Sequence, residues 1–143
     1  MTKRKYMITA LAALLTLTGC ITREQADARL AKGCKAGVEV FLTNGFNIKK
    51  IKKTTFKNST EFGNGFRDVD IKAVESDGWI DSDKDYHCTF AEERDLLGSY
   101  HRATIYQVKV DGQIYGQSGT QIMGDTATIA KMTKAVENAM GEE

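Results

Sequence analysis

Two cysteines set the strongest constraint on how this chain can fold, because each falls inside a run whose periodicity assigns it a face. Cys34 sits in a stretch where Leu30, Cys34, Val38 and Phe41 recur at three- and four-residue steps, with Ala26 and Gly37 flanking the same stripe. That spacing predicts an amphipathic helix over 23–42 with Cys34 on its apolar side. Cys88 sits between Tyr86 and Phe90, with His87 and Thr89 opposite, an alternation that predicts a strand with Cys88 facing the core. A core-facing cysteine on a helix and another on a strand are placed to bond to each other. A bond between them would close a loop of 54 residues and restrict the unfolded chain by roughly 4 kcal/mol. Two free thiols or a shared metal are the alternatives; no CxxC spacing supports zinc.

The compartment bears on that choice. Lys3, Arg4 and Lys5 precede an apolar run from Met7 to Thr18, with small residues before the expected cut at Cys20. These are the three parts of a secretory leader. The run is shorter than the roughly 20 residues a membrane-crossing helix needs. Leu17-Thr18-Gly19-Cys20 resembles the lipobox of bacterial lipoproteins. The resemblance covers the leader and Cys20 and does not extend to the folded part. It implies cleavage before Cys20, a diacylglyceryl thioether on that sulfur, and an N-acyl chain on the new N-terminus. One acyl chain holds a protein only marginally, whereas two or three hold it stably. In this family an aspartate after the cysteine favours the inner membrane; Ile21 tilts the expectation toward the outer membrane, facing the periplasm. With Cys20 taken by lipid, Cys34 and Cys88 remain as an even pair in an oxidising compartment, which reads as a disulfide.

Cleavage leaves residues 20–143 as one lipid-anchored domain, large enough for a single modest core. The leader removes three basic residues, leaving 17 basic against 19 acidic, a net charge of −2. That balance argues against nucleic acid as a partner. The chain has no proline, so its turns rely on Gly, Asn, Asp and Ser.

The remaining elements are taken in chain order. Thr22 and Gln25 have capping-box spacing ahead of the first helix. Gly33 and Gly37 would let that helix sit close on a sheet, and Asn44-Gly45 stops it. Residues 46–56 read as a strand with a bulge, carrying Lys49, Lys50, Lys52 and Lys53. That lysine run suits either an anionic surface or a charge-protected edge strand, the second being favoured. Residues 66–75 alternate cleanly, with Val69, Ile71 and Ala73 on one side. Trp79 is expected to cap a core edge rather than serve as a binding anchor. Residues 81–85 read as an acidic loop and 91–99 as a polar one. Residues 100–110 form the clearest strand, with Thr104, Tyr106, Val108 and Val110 assigned to one face. Asp111-Gly112 predicts a hairpin to a short strand at 113–117, and 119–124 reads as loop. Asp125 can cap a last helix with Ile129, Met132, Val136, Ala139 and Met140 along its apolar stripe, used for core packing. The expected fold is α+β: an N-terminal helix, an antiparallel sheet of four to five strands and a C-terminal helix, with the helices on one sheet face.

Reactive chemistry is sparse. Asp81, Asp83, Asp85 and Glu92 match EF-hand positions, but Tyr86 stands where that loop needs glycine. His87 and His101 are the two candidate bases near neutral pH, and both are assigned to solvent faces. Gly116-Gln117-Ser118-Gly119 is one residue short of a GxSxG elbow. The acid pairs Asp68/Asp70 and Glu92/Glu93 lack a companion motif for glycoside chemistry. No enzyme activity, cofactor or metal is expected. The function expected is an accessory or scaffolding component of an envelope assembly, membrane-bound through Cys20 and with a protein partner. A binding module or inhibitor of an envelope hydrolase or ligand is the second reading.

Overall fold

The computed structural model describes residues 20–141. The expected leader, including Leu17, Thr18 and Gly19 of the lipobox, lies outside the described residues. Two helices and six strands run in the order α1 (Arg23–Glu39), β1 (Asn47–Asn58), β2 (Phe66–Ser76), β3 (Asp81–Arg94), β4 (His101–Val110), β5 (Gln113–Ser118), β6 (Gln121–Met123) and α2 (Thr126–Gly141). The strands form one antiparallel meander whose spatial order is the chain order. The α+β class stands, but the sheet has six strands rather than four or five. The additional strand, β6, is three exposed residues inside the segment expected as loop. Three residues are too few for alternation to show in a sequence.

Helix α1 starts where its capping residues put it. Thr22 Oγ1 accepts the Gln25 N–H at 3.1 Å, and Gln25 Oε1 accepts the Thr22 N–H at 2.9 Å. It ends at Glu39, short of residue 42, and the left-handed pair Asn44 and Gly45 turns the chain toward β1. Helix α2 is capped by Asp125, whose Oδ1 accepts the Thr128 N–H at 2.9 Å. Gly33 and Gly37 serve the contact between the helices more than the contact with the sheet. A Cβ on Gly33 would lie 2.8 Å from Met140 Cγ, and one on Gly37 would lie 3.0 Å from Val136 Cγ2. The methionine-bearing stripe of α2 is therefore packed: Met132 and Val136 are buried in the core, and Met140 lies against α1.

Bulges set which side chains reach the core. In β1, register shifts leave Lys49 and Lys52 without a partner residue on β2. Between β3 and β4, Thr89 pairs with Gln107 but Phe90 pairs with Ile105, so Tyr106 is the extra residue. The alternation of β4 inverts there. Ile105 faces the helices before the bulge, and Val108 and Val110 face them after it. Thr104 and Tyr106 thus do not share a face with Val108 and Val110, as uninterrupted alternation would require. Tyr106 instead joins Phe62 and Phe66, with ring centroids 5.0 and 4.9 Å away. Gly116 on β5 accommodates this bulge: its φ is +102°, and a Cβ there would lie 2.5 Å from the Tyr106 carbonyl oxygen.

The core lies between the helices and one sheet face. It is built from Leu30, Cys34 and Val38 of α1, Val69 and Ile71 of β2, Tyr86, Cys88 and Phe90 of β3, Val108 of β4, and Met132 and Val136 of α2. Cys34 and Cys88 are fully buried there and joined by a disulfide, with Cα atoms 5.7 Å apart. Replacing both (Cys34→Ser with Cys88→Ser) should cost roughly 4 kcal/mol and lower Tm by about 10 °C or more, read by thermal melting against the oxidised protein.

Candidate functional site

Cys20, the residue expected to carry lipid, is exposed and takes no part in the disulfide. It lies two residues ahead of the Thr22 cap and is held against the β3–β4 loop. The Ile21 N–H donates to the Gly98 carbonyl at 2.7 Å. Gly98, with φ of +69°, approaches so closely that a Cβ on it would lie 2.9 Å from the Ile21 carbonyl oxygen and 3.7 Å from Cys20 Cβ. Cys20 is therefore close to two fixed parts of the fold, the cap of α1 and this loop.

Behind it lies a compact charged cluster with no signature in the local sequence. Arg23 donates from both terminal nitrogens to Glu92, at 2.9 and 2.6 Å, and from Nη2 to Asp27 Oδ1 at 2.5 Å. Arg67 donates to both Asp27 oxygens, at 3.1 and 2.7 Å. His101 Nε2 lies 2.7 Å from Glu92 Oε1, so the tautomer protonated there donates to it. The cluster joins α1 to β2, β3 and β4. Burial would lower the Arg23 pKa, but its bonds to Glu92 and Asp27 outweigh that and raise it. Burial would likewise raise Glu92, yet the bonds from Arg23 and His101 prevail and hold its carboxyl below the usual value. Each carboxylate is met by three nitrogens of the surrounding Arg and His side chains, which ties the elements together. His101, assigned to a solvent face, has a side chain only 3% exposed. Nothing short of the fold brings Arg23 and Glu92, 69 residues apart, together.

His87 lies on the sheet face away from the helices. Its Nδ1 is 2.6 Å from Asp70 Oδ1, and its Nε2 is 3.3 Å from Thr89 Oγ1. Carboxylate, imidazole and hydroxyl thus stand in the order used by nucleophilic hydrolases. The hydroxyl is not available for that chemistry. Thr89 is fully buried, and its proton goes to Asp68 Oδ1 at 2.8 Å. Beside it an open cleft of about 450 Å³ is bounded by Thr55, Asp70, Lys72, His87 and Lys109. Its charges are of both signs: Asp70, Asp85 and Asp111 line it with Lys72 and Lys109, and Lys72 lies 3.6 Å from Asp85.

The acidic segment is strand, not loop. The turn before it is Asp77–Ile80, where Asp77 Oδ1 accepts the Trp79 and Ile80 N–H groups at 2.8 Å each. β3 then runs unbroken from Asp81 to Arg94. Carboxylates are poor strand formers, but here lysines oppose them. Lys49 and Lys52, the two bulged residues of β1, reach Asp81 and Asp83 at 2.7 and 2.6 Å. The hydrogen bond from Lys49, then that from Ser76, lowers the Asp81 pKa. Glu92 lies eleven residues up the same strand, roughly 36 Å from Asp81 at extended rise, and is engaged by Arg23. The EF-hand positions are thus spread out where a calcium loop would gather them. Among the described residues no three His, Cys, Asp or Glu side chains form a metal-holding group.

Trp79, at the β2–β3 turn, is 94% exposed and caps no core edge; Ile80 beside it is 61% exposed. No helix among the described residues is long and apolar enough to cross a membrane. Comparison of the chain with family models, with curated proteins and with solved structures finds no match.

The charged cluster makes stability depend on acid. Because the native Glu92 pKa is depressed, its contribution is complete above the ordinary value of about 4.5 and is lost as pH falls through the lowered native value. Glu92→Gln should cost about 2 kcal/mol at neutral pH, the order of a lost hydrogen bond to a charged group, and flatten the fall of Tm below pH 4.5, measured by melting curves across an acid series.

Proposed function

We propose that this protein is a lipid-anchored, non-enzymatic accessory component of a bacterial envelope assembly, held by acyl chains on Cys20 at the periplasmic face of the outer membrane. The observation that carries the reading is the exposed Cys20, which comes after a lipobox-like stretch and directly precedes a capped helix. So short a connection keeps the domain at the membrane surface. Confinement there raises the effective concentration toward neighbouring membrane components, so modest contacts suffice.

A second reading, a module that captures or inhibits an envelope protein, draws support from Trp79. A tryptophan standing free at a hairpin tip suits insertion into a pocket of a partner, the role such residues play at the centres of interfaces. Lys49 and Lys52, paired with β3, serve the sheet in both readings.

Mass spectrometry of the protein purified from cell membranes should show an N-terminus at Cys20 carrying acyl mass, and Cys20→Ser should abolish both the modification and membrane fractionation. An unmodified thiol at Cys20 would overturn the anchoring. Crosslinking in living cells should capture an envelope protein with the anchored wild type. Loss of that product on Trp79→Ala would assign the contact to the hairpin tip, and capture unaffected by this change would remove the second reading's support.

A further inference from the structure

We infer that the β3–β4 loop is a second membrane contact, with Leu96 and Leu97 inserted into the lipid bilayer beside the acylated cysteine. This rests on the anchoring of Cys20 proposed above. Leu96 is fully exposed and Leu97 is 80% exposed. Turn tips ordinarily carry Gly, Asn, Asp or Ser, and adjacent leucines held in water at such a tip are unfavourable unless something covers them.

Hydrogen bonds at its base close the loop into a turn with both leucines on the outside. The Asp95 carboxylate accepts the Ser99 hydroxyl and, at 3.0 Å, the Tyr100 N–H. The Gly98 N–H donates to the Asp95 carbonyl at 3.2 Å. The leucines project from this closed turn. Tyr100 at its base is 47% exposed and suited to the headgroup level, where amphipathic rings collect.

What identifies the occupant is the neighbour. The same loop touches the lipid attachment point: Gly98 accepts the Ile21 N–H and lies against Cys20. Acyl chains on Cys20 enter the bilayer at that place, so the leucines meet lipid as soon as the anchor does. Side chains at the headgroup–acyl boundary lie about 5–10 Å deep, within reach of a loop tip beside the thioether. Two contacts, one covalent and one apolar, also fix direction. β3 starts at Asp81 beside the Trp79 turn and ends at Arg94 beside this loop. The Trp79 tip then stands roughly 45 Å from the membrane along that strand.

The test uses tryptophan fluorescence, since Trp79 is the only tryptophan in the chain. The full acylated protein, purified from cell membranes, is reconstituted into phosphatidylethanolamine–phosphatidylglycerol vesicles with lipids brominated near the top of their acyl chains. In a Trp79→Phe background, Leu97→Trp should give blue-shifted emission that is lost on bromination, and Leu96→Trp should do the same. Native Trp79, read in the unsubstituted protein, should keep its emission. Vesicle flotation with unquenched indoles at both loop positions would overturn the inserted loop while leaving the anchor intact, as would Trp79 quenched as strongly as they are. Failure to float, with no acyl mass on Cys20, would overturn both.

Discussion

The bond between Cys34 and Cys88 crosses the core from the middle of α1 to the middle of β3, and the rest of the packing is arranged about it. It fixes the height at which the helix rides over the sheet. Leu30 and Val38, one turn to either side of Cys34, are fully buried on the same stripe, and Phe90 and Tyr86 flank Cys88 along the strand. The charged cluster of Arg23, Asp27, Arg67, Glu92 and His101 holds the N-terminal end of the same helix to the same strand. Helix α2 then closes against the glycines of α1, where the absence of a Cβ leaves room for Met140 and Val136.

Bulges shape the sheet in a second way. Each extra residue breaks the two-residue period and moves the next stretch of strand to the opposite face. In β1 the extra residues are lysines, and displacement from the ladder lets them reach past β2 to aspartates of β3. In β4 the extra residue is Tyr106, which turns away from the helices to pack with Phe62 and Phe66. The carboxylates that resembled a cation loop are thereby absorbed into the sheet, and the open face keeps a mixed set of charges with a buried hydroxyl at its centre.

The molecule has two unlike ends. One gathers Cys20, the cap of α1 and the Leu96–Leu97 loop; the other carries the Trp79 turn and the Asp111–Gly112 hairpin. In the proposed arrangement the first meets lipid and the second faces the periplasm. That division results from one extended strand, β3, running the full distance between them.

Local patterns determined much of this protein. Capping residues, helical stripes, the cysteines' core-facing positions, the clean alternation of β2 and the hairpin at Asp111-Gly112 are short-range signals, set by periodicity and backbone preference within a few residues. Where the strands lengthen or invert, the cause is a partner distant in sequence. Residues 81–85 extend because β2 pairs with them along its whole length, with Lys49 and Lys52 offsetting their charge, and β4 changes face because one residue is left over in its pairing with β3. His101 lies buried where its Nε2 meets Glu92, and Leu96 and Leu97 matter because the fold sets their loop against Cys20. A chain's sequence carries its local preferences openly, but the pairing of residues tens of positions apart is decided by the packing of the whole.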